Sequence, residues 1–143
     1  MNFIKIARFA LCLSLLSPIL AMAESPGVKV VVSNLPPATG TVEVTLFNSA
    51  EKFLNEPYLQ RSGKANEDGI FESEFLAIPD GEYAVVVVHD ANDNGKLDSG
   101  FLGFGGESYG YSNNVRNWFG RPDFEEVKIT VDQPGTLVEI DLD

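Results

Sequence analysis

Hydrophobic and polar positions alternate with a period of two along most of the chain beyond residue 27. In "GTVEVTLFNS" (40–49), Val42, Val44 and Leu46 take one face while Thr41, Glu43 and Thr45 take the other. Successive side chains of a strand point to opposite sides, so this pattern predicts a half-buried β-strand. "IFESEFLAI" (70–78) repeats it, with Phe71, Ser73 and Phe75 opposite Ile70, Glu72 and Glu74. "VKVVVSNL" (28–35) is β-branched and is stopped by Pro36 and Pro37. "EYAVVVVHD" (82–90) is apolar on both faces, which predicts a central strand. "FEEVKITV" (124–131) and "GTLVEIDLD" (135–143) read as two further strands. The one stretch with helical character is "SAEKFLNEPYLQ" (49–60), and Pro57 limits it.

Turn signals separate these runs: "NEDG" at 66–69 and "PDG" at 79–81. Short strands punctuated in this way predict an all-β domain, a single antiparallel β-sandwich of about seven strands. The stretch "NEDGIFESEFLAIPDGEYAVVVVHD" resembles the middle of prealbumin-like and immunoglobulin-like sandwiches, such as collagen-adhesin B-type repeats and carboxypeptidase regulatory domains. That resemblance implies a fold and no function.

The first residues follow different rules. Lys5 and Arg8 precede an apolar run from Phe9 to Leu20, which ends in "AMA" (21–23). A positive start, a short apolar core and a small-x-small site predict a signal peptide over residues 1–23, with a domain at 24–143. The run is short for a membrane span, so a periplasmic or secreted protein without membrane insertion is expected. Cys12 lies inside the apolar run, so the remaining chain has no cysteine and no disulfide or thiolate chemistry. Losing Lys5 and Arg8 but no acid takes the formal charge from −11 to −13. Such a surface disfavours nucleic acid and anionic lipid and suits a cation.

"DANDNGKLD" (90–98) sharpens that point. Asp90, Asn92 and Asn94 stand at alternate positions, Gly95 allows a sharp turn, the Lys96 carbonyl follows, and Asp98 completes the spacing. A hard cation takes six to eight oxygens, and alternate residues of a tight loop can aim them at one centre. A structural calcium ion is therefore expected. Phe101 stands where a helix–loop–helix calcium site would carry a bidentate glutamate. Glu107 is the first choice to replace it, with Asp68 and Asp80 behind. The competing reading is a metal-free turn whose Asx side chains cap their own backbone.

The long stretch 99–124 carries Phe101, Phe104, Tyr109, Tyr111, Trp118 and Phe119 among glycines. It reads either as a surface for a glycan or peptide, centred on 99–122, or as rings that cover an open edge of the sandwich. Arg116 and Arg121 could pair with Glu125 or Glu126, or clamp an anion. "HDANDNGKLDSGFLGFGGESYGYSNN" followed by "FGRPDFEEVKITV" resembles the bacterial family catalogued as domain of unknown function number 2141. Where that family has Gly-x-Pro-x-Glu, this chain has "GFGGES", with Glu107 keeping the acidic place. The resemblance implies an exported small β domain and carries no reaction with it.

No enzyme is expected. His89 is the only histidine, and "GYSNN" around Ser112 is not a nucleophile elbow. His89 and Asp90, being neighbours on a strand, should face opposite sides. The alternative is an enzyme acting on an extracellular polymer through paired acids.

Overall fold

The computed structural model describes residues 26–95, 106–117 and 120–142. They form eight strands: β1 (Gly27–Ser33), β2 (Thr41–Phe47), β3 (Leu59–Gly63), β4 (Phe71–Leu76), β5 (Gly81–Asp90), β6 (Ser108–Tyr111), β7 (Lys128–Val131) and β8 (Thr136–Asp141). One sheet has the order β4-β1-β8; the other runs β3-β2-β5-β6, with β7 also paired to β5. The fold is an all-β sandwich, as the alternation predicts. Its strands are not all antiparallel: β1 and β8 run parallel, with Val30 opposite Val138. The first and last of the described strands thus lie side by side.

The alternation maps onto burial. Val42, Val44 and Leu46 are fully buried and meet Val28, Val30, Val32, Phe75 and Ile140 of the facing sheet. Tyr83, Val85 and Val87 add the inward face of β5 to this core. The outward face of β5 is covered as well: Ala84 and Val86 pack with Phe47, Phe53, Tyr111, Phe124 and Val127. Phe53 meets Phe47 and Phe124 edge-on, at centroid separations of 5.5 and 5.9 Å. This second layer is why β5 is apolar on both sides.

Three local expectations need correction. Residues 50–56 form turns, not a helix, with Leu54 at φ 62° and Glu56 N–H bonded to the Lys52 carbonyl. Strand β3 follows where helical residues were expected. Residues 124–131 are not one strand, because Phe124–Val127 makes a single helical turn before β7. Asp123 caps that turn, and the Glu126 carboxylate accepts the Asp123 N–H at 2.7 Å. The reciprocal box satisfies N–H groups that a helix start leaves unpaired.

Two short strands share one edge of β5. β7 pairs with Gly81–Ala84 and β6 with Val86–His89, both on the side away from β2. Between them neither strand reaches Val85. The buried Ser112 hydroxyl fills this gap: it accepts the Val85 N–H at 3.0 Å and donates to the Val127 carbonyl. Its neighbours extend the stitching. Asn113 donates to the Lys128 carbonyl at 3.1 Å. Asn114 donates to the Glu139 carbonyl at 3.1 Å and accepts the Asp141 N–H at 2.9 Å, so its amide acts as a strand partner for the edge of β8.

Tyr83 anchors the 79–81 corner by donating its hydroxyl to the Pro79 carbonyl at 2.7 Å. Burial pushes its phenol pKa up, since the charged form would lose solvation. Tyr83→Phe should lower stability by about 1–2 kcal/mol, because the carbonyl loses its partner. Urea midpoints of the two proteins at unchanged slope check this.

Candidate functional site

The acidic turn leaves the sheet at the end of β5. Thr41 lies opposite Asp90 across the ladder, which fixes where the turn begins. Asp90 accepts twice from the backbone ahead of it: Oδ2 from the Gly95 N–H at 2.7 Å and Oδ1 from the Asn94 N–H at 3.1 Å. Asn92 Oδ1 accepts the same Asn94 N–H at 3.1 Å. Asp93 and Gly95 have positive φ, 55° and 70°, which lets the turn close.

Glu107 enters from the other side, one residue before β6. Its Oε1 accepts the Ala91 N–H at 3.2 Å, which places the Glu107 carboxylate at the residue next to Asp90. The antiparallel pairing of β5 with β6, with His89 opposite Ser108, brings these two acids together from distant sequence positions. The Asp90 carboxyl is held below its usual range, chiefly by the Gly95 N–H and further by the Asn94 N–H, against an opposing effect of desolvation. A depressed carboxyl pKa means that its contribution to stability is complete above the ordinary aspartate value. That contribution is lost as pH falls through the lowered one.

Asn92 and Asn94 sit on this turn with Asp90, while Lys96 and Asp98 lie outside the described residues. Phe101, Phe104, Trp118 and Phe119 lie outside them too. Asp80 precedes β5 and Asp90 ends it, so a strand of 10 residues separates them, about 30 Å at 3.3 Å per residue. Asp80 is therefore no ligand for this turn. Asp68 belongs to the 66–69 turn, where its N–H bonds to Asn66 Oδ1. Among the described residues, no group of three or more His, Cys, Asp or Glu side chains is placed to hold a metal. Any cation here would rely on amide and carbonyl oxygens as well.

Asp93 is the turn residue that sequence spacing did not single out. Its Oδ1 accepts the Thr41 hydroxyl at 2.6 Å and its Oδ2 lies 3.5 Å from Lys64 Nζ. It ties the turn to β2 and to the 64–66 segment. Only the register of β2 against β5 reveals it, since Thr41 is 52 positions away.

His89 is buried and faces inward, away from Asp90, as strand geometry requires. Its Nε2 lies 2.8 Å from the Thr39 carbonyl, so that nitrogen carries a proton. Ser112 is bonded at the level of Val85, four residues back along β5, about 13 Å away. Ser112, His89 and Asp90 therefore form no triad.

The aromatic stretch divides. Tyr111 is buried in the outer cluster, whereas Tyr109 stays 56% exposed and meets Tyr111 edge-on at 5.8 Å. Tyr109, Tyr111, Asn117, Arg116 and Glu107 line a cavity of about 290 Å³ beside β8. Arg116 donates to the Asp141 carbonyl at 3.1 Å. Glu125 pairs instead with Lys128 at 2.7 Å. Lys128 also reaches Glu82 at 2.9 Å, and the two carboxylates, Glu125 first, push its pKa up to about 12.

A two-sheet β-sandwich with an acidic turn at one end is the class these features define. The chain belongs to the bacterial family described as uncharacterized protein conserved in bacteria (DUF2141), whose family model matches residues 30–139. No curated protein and no solved structure matches the chain. The matched span runs from Val30 within β1 to Glu139 within β8, hence most of both sheets and the whole acidic turn.

Proposed function

We propose that the chain is an exported binding or structural module, not an enzyme, whose acidic turn is ordered by one calcium ion. The observation that carries this reading is the convergence of two acids on one turn: Asp90 accepts the Asn94 and Gly95 N–H groups, and Glu107 accepts the Ala91 N–H between them. Two carboxylates held on one turn repel at neutral pH, and a cation between them relieves that repulsion. Asn92, whose Oδ1 shares the Asn94 N–H with Asp90, and Asn94 itself stand on the same turn and would add further oxygens. The Lys96 carbonyl and Asp98 would complete an oxygen set of the size calcium takes. Few formal charges face the ion, so the affinity expected is that of extracellular modules, roughly 10⁻⁴–10⁻³ M.

Calcium that binds only the folded chain raises stability by RT ln(1 + [L]/Kd). At about ten times Kd this is about 1.4 kcal/mol. Millimolar calcium should therefore raise the melting temperature, and Asp90→Ala should remove the increment. Magnesium at equal concentration should do less, because it demands a tighter octahedral shell. An unchanged melting curve for the wild-type protein would contradict the proposal.

The cavity beside Tyr109 suits a glycan or peptide segment, with an exposed ring for stacking and amide and carboxylate groups for hydrogen bonds. The architecture is read as prealbumin-like, which the Tyr83–Pro79 corner supports. Among the described residues no helix is long and apolar enough to cross a membrane. The export reading rests on the first residues, with Lys5 and Arg8 before the apolar run that ends in "AMA". Mass spectrometry of protein from its native source should find Glu24 at the N-terminus, and a chain that retains Met1 would contradict export with cleavage.

A further inference from the structure

We propose that the outer face of the β4-β1-β8 sheet docks a cationic, amphipathic segment of another protein. This face is independent of the acidic turn and of the calcium reading. The register fixes its side chains: Glu72, Glu74 and Leu76 on β4, Lys29 and Val31 on β1, Leu137 and Glu139 on β8. Leu76 is 71% exposed and Leu137 55%, two of the four large apolar side chains exposed among the described residues. They flank β1 diagonally, since Leu76 stands opposite Gly27 and Leu137 opposite Lys29. Gly27 brings no side chain to this face, and a groove of about 600 Å³ opens beside it, lined by Lys29, Glu74, Leu76, Ala77, Pro134 and Gly135, with Leu137 outside its lining.

Charge selects the occupant. Glu72, Glu74 and Glu139 rim the apolar strip, and Lys29, paired with Glu72 at 2.9 Å, is the one cation among the described strand residues of this face. The chain as a whole carries a formal charge of −11. Anionic lipid would be repelled by such a rim. A second copy would bring the same acids against themselves, and charged side chains on the edge strand β4 also discourage pairing between copies. A segment that presents lysines or arginines beside leucine-type side chains satisfies both parts of the face. Its apolar side chains fill the groove while its cations meet the glutamates.

The probe is a short synthetic amphipathic peptide of lysine and leucine, titrated against the full domain by fluorescence anisotropy. A glutamate–leucine peptide of the same pattern and polylysine serve as comparisons. The lysine–leucine peptide should bind, and added salt should weaken it. Leu76→Ser with Leu137→Ser should weaken it by about tenfold or more, about 1.4 kcal/mol, at unchanged melting temperature. Glu72→Gln with Glu74→Gln and Glu139→Gln should do the same. Glu51→Gln with Glu56→Gln and Glu67→Gln, which removes as many charges elsewhere, should leave binding unchanged. The proposal is overturned if polylysine or the glutamate–leucine peptide binds as well. Equal losses in the two charge variants would overturn it too, by showing diffuse attraction. So would a dimer in sedimentation that Leu76→Ser dissolves, since the occupant would then be a second copy.

Discussion

Ser112→Ala should destabilise the domain by about 2–5 kcal/mol, a large effect for the loss of one oxygen. The hydroxyl serves two backbone groups left between the pairings of β6 and β7, the Val85 N–H and the Val127 carbonyl. Both lie beside fully buried residues, and Ser112 itself has no exposed surface. Removing the oxygen strands two buried polar groups, each at about 1–3 kcal/mol. The seam where β6 gives way to β7 should then open first. Hydrogen exchange should quicken at Val85 and along residues 108–114 and 128–131, ahead of β1 and β2. Chemical denaturation gives the total. A loss under about 0.5 kcal/mol would mean that the gap closes without the serine.

Gly40→Ala should cost a comparable amount, about 2–5 kcal/mol, from strain and overpacking together. Gly40 has φ +68°, which side chains with a Cβ rarely adopt. A Cβ there would also meet the Asp90 carbonyl oxygen, with Ala91 Cα at 2.8 Å and His89 Nε2 at 2.9 Å. Two of these neighbours are backbone and cannot swing aside. The displacement falls at the root of the acidic turn, so the variant should also lose part of its calcium response. Melting curves with and without calcium measure both effects. A variant that melts like the wild type would show that the chain between Pro37 and Thr41 can shift freely.

These sites differ in how far the sequence reveals them. Strands β1, β2, β4, β5 and β8 show in the pattern because each buries a full face, and a buried face needs apolar residues at every second position. Strand β3, "LQRSG", is an edge strand with mostly exposed residues, so no alternation marks it. Strand β6, "SYGY", is four residues long and its Gly110 packs against Ile140 and Leu142, so the close contact demands absence of a side chain. The helical turn at 124–127 had its signal, Asp123 followed three residues later by Glu126, but the apolar spacing of "FEEVKITV" reads equally as a strand.

The acidic turn was legible through its spacing, because alternate oxygen-bearing residues and a glycine are local features. The arrival of Glu107 at the Ala91 N–H beside Asp90 follows from one strand pairing. The pairing of Asp93 with Thr41 and Lys64, and the burial of Ser112, depend on distant backbone and leave no local trace. The parallel contact of β1 with β8 is of the same kind, since a strand's own pattern does not name its neighbour.

Titration calorimetry of the domain with calcium near neutral pH tests the central claim most directly. The account predicts one saturable site at roughly 10⁻⁴–10⁻³ M that vanishes in Asp90→Ala and weakens in Glu107→Gln. Lower pH should weaken it further, as protons compete for the same carboxylates. No saturable heat in the wild-type domain, or a site that survives Asp90→Ala unchanged, would contradict it.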